Sequence, residues 1–397
     1  MRIPLFLLLV LISGGLLHRE TGREPFRSME ESFAAWLSTN SGRPPTPAPT
    51  VMVEIGEEEL TRQEWPWSPL DYALYANAAT AFQSRVVAFE PLLSWENPDA
   101  NHLSLLRTRL LRAPQVLFGG QLGFVDGTHP PLPEGIAVLR QVFGNTGKLR
   151  DFTQVILQPD PALRDAGQIG FENLFLGRTG SLRRMPLVFR YCGEVIPSFA
   201  LRGAMLWYGV TPEEVTVTPG VSITLGSEVT IPINEAGEML IRLGTPLTRF
   251  SYDDLLLAAE EIGQGRKPAV PIDRLKDSFT LLTRTDRMAP RLEFGGREGS
   301  RGELFALAVA TIQNKEFAQP APGWVTPLLM VAALAVAALL ARATAFGALT
   351  ISIVGIGTYL LVALSCFSAT LLVLPLVVPV GMILIALGLR YIAGINR

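Results

Sequence analysis

Residues 343–389 read ATAFGALTISIVGIGTYLLVALSCFSATLLVLPLVVPVGMILIALGL, 47 positions without a charged side chain. A helix crossing a hydrocarbon core of about 30 Å needs about 20 apolar residues, so this run holds two spans joined by a short turn. The spans fall at residues 344–364 and 369–389, with the turn at Ser365–Ala369. Working outward, a third apolar run covers residues 324–341 and stops at Arg342, and a fourth, Ile3–Leu17, stands behind Arg2. Between the first run and the rest, residues 18–323 hold 30 of the 34 Lys and Arg residues and all 36 acids, a formal charge of −6. That acidic balance argues against a nucleic-acid partner.

Orientation follows from the basic residues, because cytoplasmic flanks of spans retain Lys and Arg. In a chain that crosses four times, Arg2, Arg342, Arg390 and Arg397 fall on one side. That side is expected to be the cytoplasm, which puts the polar part outside the cell membrane and makes residues 390–397 a short cytoplasmic tail. Residues 1–17 are an anchor or a signal segment: Ser13 and Gly15 offer a small-residue cleavage pattern, while the missing A-x-A pattern and the apolar Leu16 and Leu17 favour an uncleaved anchor.

Phe26–Leu37 reads as a short amphipathic helix, and Pro44, Pro45, Pro47 and Pro49 then impose an extended linker, so residues 18–49 lead into a folded domain at 50–318. Val51–Ile55 is a strand candidate. Ser68-Pro69-Leu70-Asp71 carries an N-cap, a proline at the first helical position and an acid at the third, which predicts a helix. Strands at Val86–Phe89 and Gln115–Phe118 alternate with a helix near Asn101–Arg112. Alternation of this kind predicts an α/β fold with a mostly parallel, mixed sheet flanked by helices. Phe124–Gln158 breaks the rhythm and reads as an excursion outside the core. Helices are expected at Ser198–Tyr208, after Ser251 and at Arg301–Asn314, with turn-rich β structure at Val215–Leu243 and a strand at Phe279–Thr283. Of the two cysteines, Cys366 lies in the apolar run and Cys192 reads as a small buried strand residue, so no disulfide is expected between them.

This order resembles the second type of CHASE sensor domain, the cyclase- and histidine-kinase-associated sensory extracellular domains. Val51-Met52-Val53-Glu54-Ile55 followed by Trp65-Pro66-Trp67-Ser68-Pro69 is similar to the family's first strand and the Trp-Pro-Trp start of its first helix. Val86-Val87-Ala88-Phe89-Glu90 resembles its second strand, where Asp commonly stands in place of Glu90. Gly170-Phe171-Glu172-Asn173 resembles a Gly-Phe-x-Asn strand, Ile231-Pro232-Ile233-Asn234 an Ile-Pro-x-Asp segment, and Ser251-Tyr252-Asp253-Asp254-Leu255 a helix start. Gly302 and Ala306 match a Gly and an Ala of the last soluble helix. Two acids differ: Gly56 stands where the family shows Asp, and Thr179-Gly180 where it shows Asp-Gly.

The resemblance implies an exported sensory domain, one N-terminal and three C-terminal transmembrane helices, and an inner-membrane, multi-pass protein of bacterial type. With an output domain expected after the third closing helix and none before Arg397, a stand-alone form is expected, which signals through a separate kinase, cyclase or regulator. The ligand would be a small molecule or an envelope component, the chain could pair as a homodimer, and no cofactor is implied. An envelope scaffold that has lost ligand sensing is the alternative, favoured by the two missing acids.

No enzyme chemistry assembles from the sequence. His18, His102 and His129 are scattered without the convergent Cys, Asp or Glu partners that a metal needs. No Ser or Cys sits in a nucleophile elbow, and Glu57–Glu59 reads as solvated charge. Gly295–Gly302 precedes a helix but matches no phosphate-loop spacing, so a mobile loop is expected there. Ligand-binding candidates are Trp65 and Trp67, which could close over a small molecule or simply wedge a helix onto the sheet. Glu90, Arg183 and Arg184 complete the set, the arginines either meeting an anionic ligand or lying in ion pairs.

Overall fold

Two units fold from the chain, residues 1–44 with 318–397, and residues 45–317. The structure is a computed structural model and describes residues 3–23, 25–41, 46–125, 132–133, 135–175, 184–294 and 297–392. Its α-helices are α1 (Ile3–Glu20), α2 (Phe26–Asn40), α3 (Glu57–Arg62), α4 (Pro69–Ala81), α5 (Ala100–Leu110), α6 (Phe199–Tyr208), α7 (Tyr252–Gly263), α8 (Arg301–Asn314), α9 (Val325–Arg342), α10 (Ala345–Thr370) and α11 (Val377–Ile392).

A sheet organises residues 45–317. Its strands are β1 (Thr50–Ile55), β2 (Val86–Phe89), β3 (Val116–Gly123), β4 (Gln154–Leu157), β5 (Gln168–Phe171), β6 (Thr248–Ser251) and β7 (Phe279–Arg284). They lie in the order β6-β1-β7-β2-β3-β4, with β5 also paired to β3. All of these pairings are parallel except β3 with β4. The excursion expected outside the core therefore gives the sheet an antiparallel neighbour.

Alternate residues of each strand serve opposite faces. Met52, Val86, Ala88, Leu117, Phe279 and Leu281 meet α6 and α8. Val51, Val53, Val87, Phe89, Phe118 and Leu282 meet α4, α5 and α7 on the other side. Helix α4 starts where its cap predicts: the Asp71 carboxylate accepts the Ser68 backbone N–H at 3.0 Å. Outside this sheet, short antiparallel ladders join Val215–Thr218, Ser222–Leu225 and Val229–Pro232, and Val188–Tyr191 with Glu194–Pro197. Cys192 sits at the tip of that last hairpin, exposed, with φ +47 beside Gly193 at φ +93. Two consecutive left-handed residues make the tight turn that matches strand twist, so Cys192 is a turn residue and not a buried strand residue.

The last turn of α8 is tied to the start of β1. Thr50 Oγ1 donates to Gln313 Oε1 at 2.6 Å, Asn314 Nδ2 donates to the Thr46 carbonyl at 2.6 Å, and Thr46 Oγ1 donates to Glu316 Oε1 at 3.1 Å. Glu316 is buried and pairs with buried Arg242 at 3.1 Å. The two ends of this unit are thus clasped side by side.

In the other unit, α1, α9 and α11 share an apolar core of Phe6, Val10, Ala333, Ala337, Leu340, Met382, Ile383 and Ala386. At Gly381 an added Cβ would lie 2.6 Å from Leu17 Cδ1, the close helix approach that small residues permit. Helix α2 packs Phe33 and Leu37 against Tyr359, Phe367, Leu371 and Leu374. The Glu30 carboxylate accepts the Leu376 and Val377 N–H groups, both at 2.8 Å, and so caps α11. Buried Arg390, in the last turn of α11, donates to the Leu340 carbonyl.

Among the described residues three helices are long and apolar enough to cross a membrane: α1, α9 and α10. Of the three such helices expected at the C-terminal side, two reach that length, and α11 spans 16 residues among those described, about 24 Å at 1.5 Å per residue. Counting apolar residues overlooked where backbone leaves the helix. Helix α10 runs straight through Ser365–Ala369, with the Thr370 hydroxyl bonded to the Cys366 carbonyl at 2.7 Å. The break comes at Leu371, which has φ +60, and Leu372–Val373 then extends to pair with Gln319–Pro320. Pro375 lies in the extended stretch before α11, which starts at Val377.

Candidate functional site

Helix α8 follows β7 on one face of the sheet, whereas α4 and α5, which follow β1 and β2, lie on the other. Where chains leave neighbouring parallel strands toward opposite faces, a crevice opens at the strands' carboxyl ends, the usual ligand position in open α/β sheets. Charged and aromatic residues gather at this edge.

Glu90 follows β2 and Glu172 follows β5; both are buried, and both face Arg301, the first residue of α8. Arg301 Nε donates to Glu90 Oε1 at 2.7 Å, and its Nη2 also reaches Glu90. The same Nη2 lies 3.2 Å from Glu172 Oε2. Thr283 Oγ1, from β7, donates to Glu90 Oε2 at 3.3 Å. Glu172 Oε1 has no hydrogen-bond partner among the described residues. Glycines make the arrangement possible: a side chain at Gly119 would overlap the Glu172 carboxylate, and one at Gly302 would overlap Thr283.

Burial pushes the Glu172 carboxyl well above the ordinary carboxylate range; Arg301 opposes the shift and Glu90 adds to it. Burial disfavours the Arg301 cation, but Glu172 and Glu90 outweigh it and hold the guanidinium charged. A second ionic group lies at the ends of β1 and β6, where Arg249 binds Glu54 at 2.7 Å and also Glu303. Arg297 reaches Glu303 at 2.7 Å. The segment around Gly295 begins and ends in a hairpin of Arg291–Phe294 with Arg297–Ser300; residues 295–296 lie outside the described residues.

The two tryptophans of the Trp-Pro-Trp segment have different surroundings. Trp67 is buried, meets Tyr252 edge-on at 4.6 Å between ring centroids and donates from Nε1 to the Gln63 carbonyl at 3.1 Å. Its carbonyl accepts Trp95 Nε1 at 2.8 Å. Trp65 is only half-buried and stacks on the Arg284 guanidinium at 4.2 Å. Arg284 in turn grips Asp286 with two bonds, 2.8 and 2.9 Å. Tyr72 links this group to the Glu90 side: burial, Asp71 and Glu90 raise its hydroxyl pKa, with Arg284 acting the other way.

Of the residues singled out from sequence, Trp65, Trp67 and Glu90 stand at this edge. Arg184 belongs to another ladder, where Arg184–Pro186 pairs with Glu238–Leu240, and Arg183 lies outside the described residues, as do Thr179 and Gly180. Glu59, read from sequence as solvated, is buried and accepts the Gly56 N–H at 2.9 Å. An acid does stand beyond β1, three positions after Gly56. Sequence reasoning passed over Glu172, Arg284, Asp286 and Arg301. Glu172 lay inside a quoted motif, whose next residue, Asn173, also gains a role: its side-chain amide accepts from Leu122 N and donates to Leu122 O, both at 2.9 Å, extending the β5 ladder by a side chain.

Chemically, the edge offers fixed charges and aromatic faces, which suit binding. Among the described residues no group of three or more His, Cys, Asp or Glu could hold a metal ion. A family model described as the CHASE2 domain matches residues 5–364. The chain belongs to the CHASE2 family. No curated protein and no solved structure matches it. CHASE2 domains are sensory extracellular domains, which supports a sensor role for this CHASE2 protein, and its long apolar helices support attachment to a membrane.

Proposed function

We propose that residues 45–317 form an exported, non-enzymatic sensory domain that binds a small molecule or envelope component in the crevice at the carboxyl ends of β1, β7 and β2. The observation that carries this reading is the placement of Trp65 on Arg284 beside the Glu90–Arg301 pair, an aromatic face next to fixed charge in the position where open α/β sheets take ligands. In this reading Trp67 is a packing residue, and Trp65 and Glu90 face the ligand.

Membrane attachment follows from α1, α9 and α10, and α11 makes a fourth crossing, supported by its packing against α1 and α9. Arg342 and Arg390 then flank the cytoplasmic side. Signalling passes from the crevice along α8, whose buried length joins Arg301 to the clasped chain ends, and onward to a kinase, cyclase or regulator, with a homodimer as the working form.

The test is a thermal-shift screen of the full chain in detergent against small molecules and envelope fragments. A hit that raises the melting temperature, and whose increment over the unliganded protein is lost in Trp65→Ala measured against that variant's own unliganded melting temperature, supports sensing. Absence of hits together with a crosslinked envelope protein supports an envelope scaffold instead.

A further inference from the structure

We propose that Glu172 is a proton-binding site, and that its proton decides how Arg301 divides its bonds between Glu90 on β2 and Glu172 on β5. The geometry sets three groups in one buried place: two carboxylates and a single cation. With Glu172 protonated the cluster is neutral, and Arg301 is satisfied by Glu90, to which it donates from both Nε and Nη2. Loss of the proton leaves two anions on one guanidinium, in a place where Glu172 Oε1 has no donor among the described residues. An unpartnered ionised oxygen in such surroundings is costly, whereas a carboxylic acid there is not.

The groups that act on Glu172 can be named element by element. From α8 comes Arg301, and from the end of β2 comes Glu90. Strand β3 presents Gly119, with no charge, and β7 presents the Thr283 hydroxyl, which is committed to Glu90. The direction of the Glu172 shift agrees with this geometry. Because the folded form holds its proton more tightly than the unfolded chain, stability is greatest below the ordinary carboxylate range and falls as pH rises through the folded value.

Arg301 gives the proton its leverage, since it is the first residue of a helix whose far end is clasped to Thr46, Thr50 and Arg242. On alkalinisation Arg301 is drawn from Glu90 toward Glu172, so the seat of α8 shifts between β2 and β5. The external proton concentration is thereby a ligand of the same edge. This inference rests on the sensory reading for its purpose only; the titration is read without any small molecule, so either can fail alone.

Infrared difference spectroscopy of the full chain in detergent, titrated from acid to alkaline pH, reads the proton directly. The carbonyl stretch of a buried carboxylic acid is expected at acid pH and is lost on alkalinisation. Glu172→Gln, the isostere of the protonated acid, removes that band while the near-ultraviolet circular dichroism is kept. Glu90→Gln removes the neighbouring charge and moves the midpoint down by about one unit, a tenfold weaker proton. No band in the natural protein, a band that survives Glu172→Gln, or an unmoved midpoint in Glu90→Gln each overturns the proposal.

Discussion

Arg301 and Glu172 meet at 3.2 Å across the carboxyl edge of the sheet, joining the first residue of α8 to the residue after β5. Glu172 is out of water at 3% side-chain exposure and Arg301 mostly so at 21%, and removing Arg301 strands the buried carboxylate of Glu90, which is 6% exposed. Arg301→Met is expected to destabilise the domain by about 3–5 kcal/mol. Adding Glu172→Gln and Glu90→Gln should recover much of that loss, because no buried anion then remains. Denaturant unfolding of the full chain in detergent measures both; equal stability of the single and triple variants would contradict the assignment.

Asp286 carries the opposite pH signature. Its burial raises the pKa, but the two bonds from Arg284 outweigh this and hold the carboxyl below its ordinary range. A depressed folded value means that the contribution is present above about pH 4 and is lost as pH falls through the folded value. Asp286→Asn should therefore destabilise the protein at neutral pH and make no difference at the acid end. Melting temperatures of the two proteins across that range give the comparison.

The tryptophans should separate in the same assay. Trp67→Ala opens a cavity beneath Tyr72 and Tyr252 and is expected to cost about 3–5 kcal/mol. Trp65→Ala removes one half-exposed stack on Arg284, at about 0.5–2 kcal/mol. A larger effect at Trp65 than at Trp67 would refute the division of roles between them.

At the clasp, Glu316→Gln breaks the buried pair with Arg242 and is expected to cost about 3–5 kcal/mol, whereas Thr46→Val removes a single neutral-to-charged hydrogen bond worth about 1.5–3 kcal/mol. Limited proteolysis near residue 46 should accelerate in both variants.

Orientation is open to reporter fusions. A reporter inserted after Arg342 should be active in the cytoplasm, and one inserted at exposed Phe143 should be active outside it. The reverse pattern at either position rules out the proposed topology.

How much of this was legible in the sequence depended on the range of the forces involved. The parallel sheet came from local signals, the β-branched run at Val51–Ile55 and the Ser68–Asp71 cap, which carry their meaning within a few residues. The Glu90–Arg301–Glu172 group did not, because its members come from β2, α8 and β5 and are assembled only by strand order. Cys192 was misread because it directly follows the strand-like Val188-Phe189-Arg190-Tyr191, and only the pairing of its flanks reveals the turn. Glu59 was misread because a run of three acids conceals which one turns inward to hold the Gly56 N–H. The length of α11 depended on a left-handed residue at Leu371, for which no turn-forming glycine or asparagine gave notice.

The clasp between Thr46, Asn314 and Glu316 has a topological consequence. A unit of more than 250 residues that begins and ends at neighbouring points is, to the chain flanking it, a closed loop. Such an insertion imposes no separation on the segments it interrupts, and its own folding does not wait for them. Evolution can therefore exchange the inserted cassette, or lend it to another pair of flanking helices, by cutting and joining at these two adjacent positions.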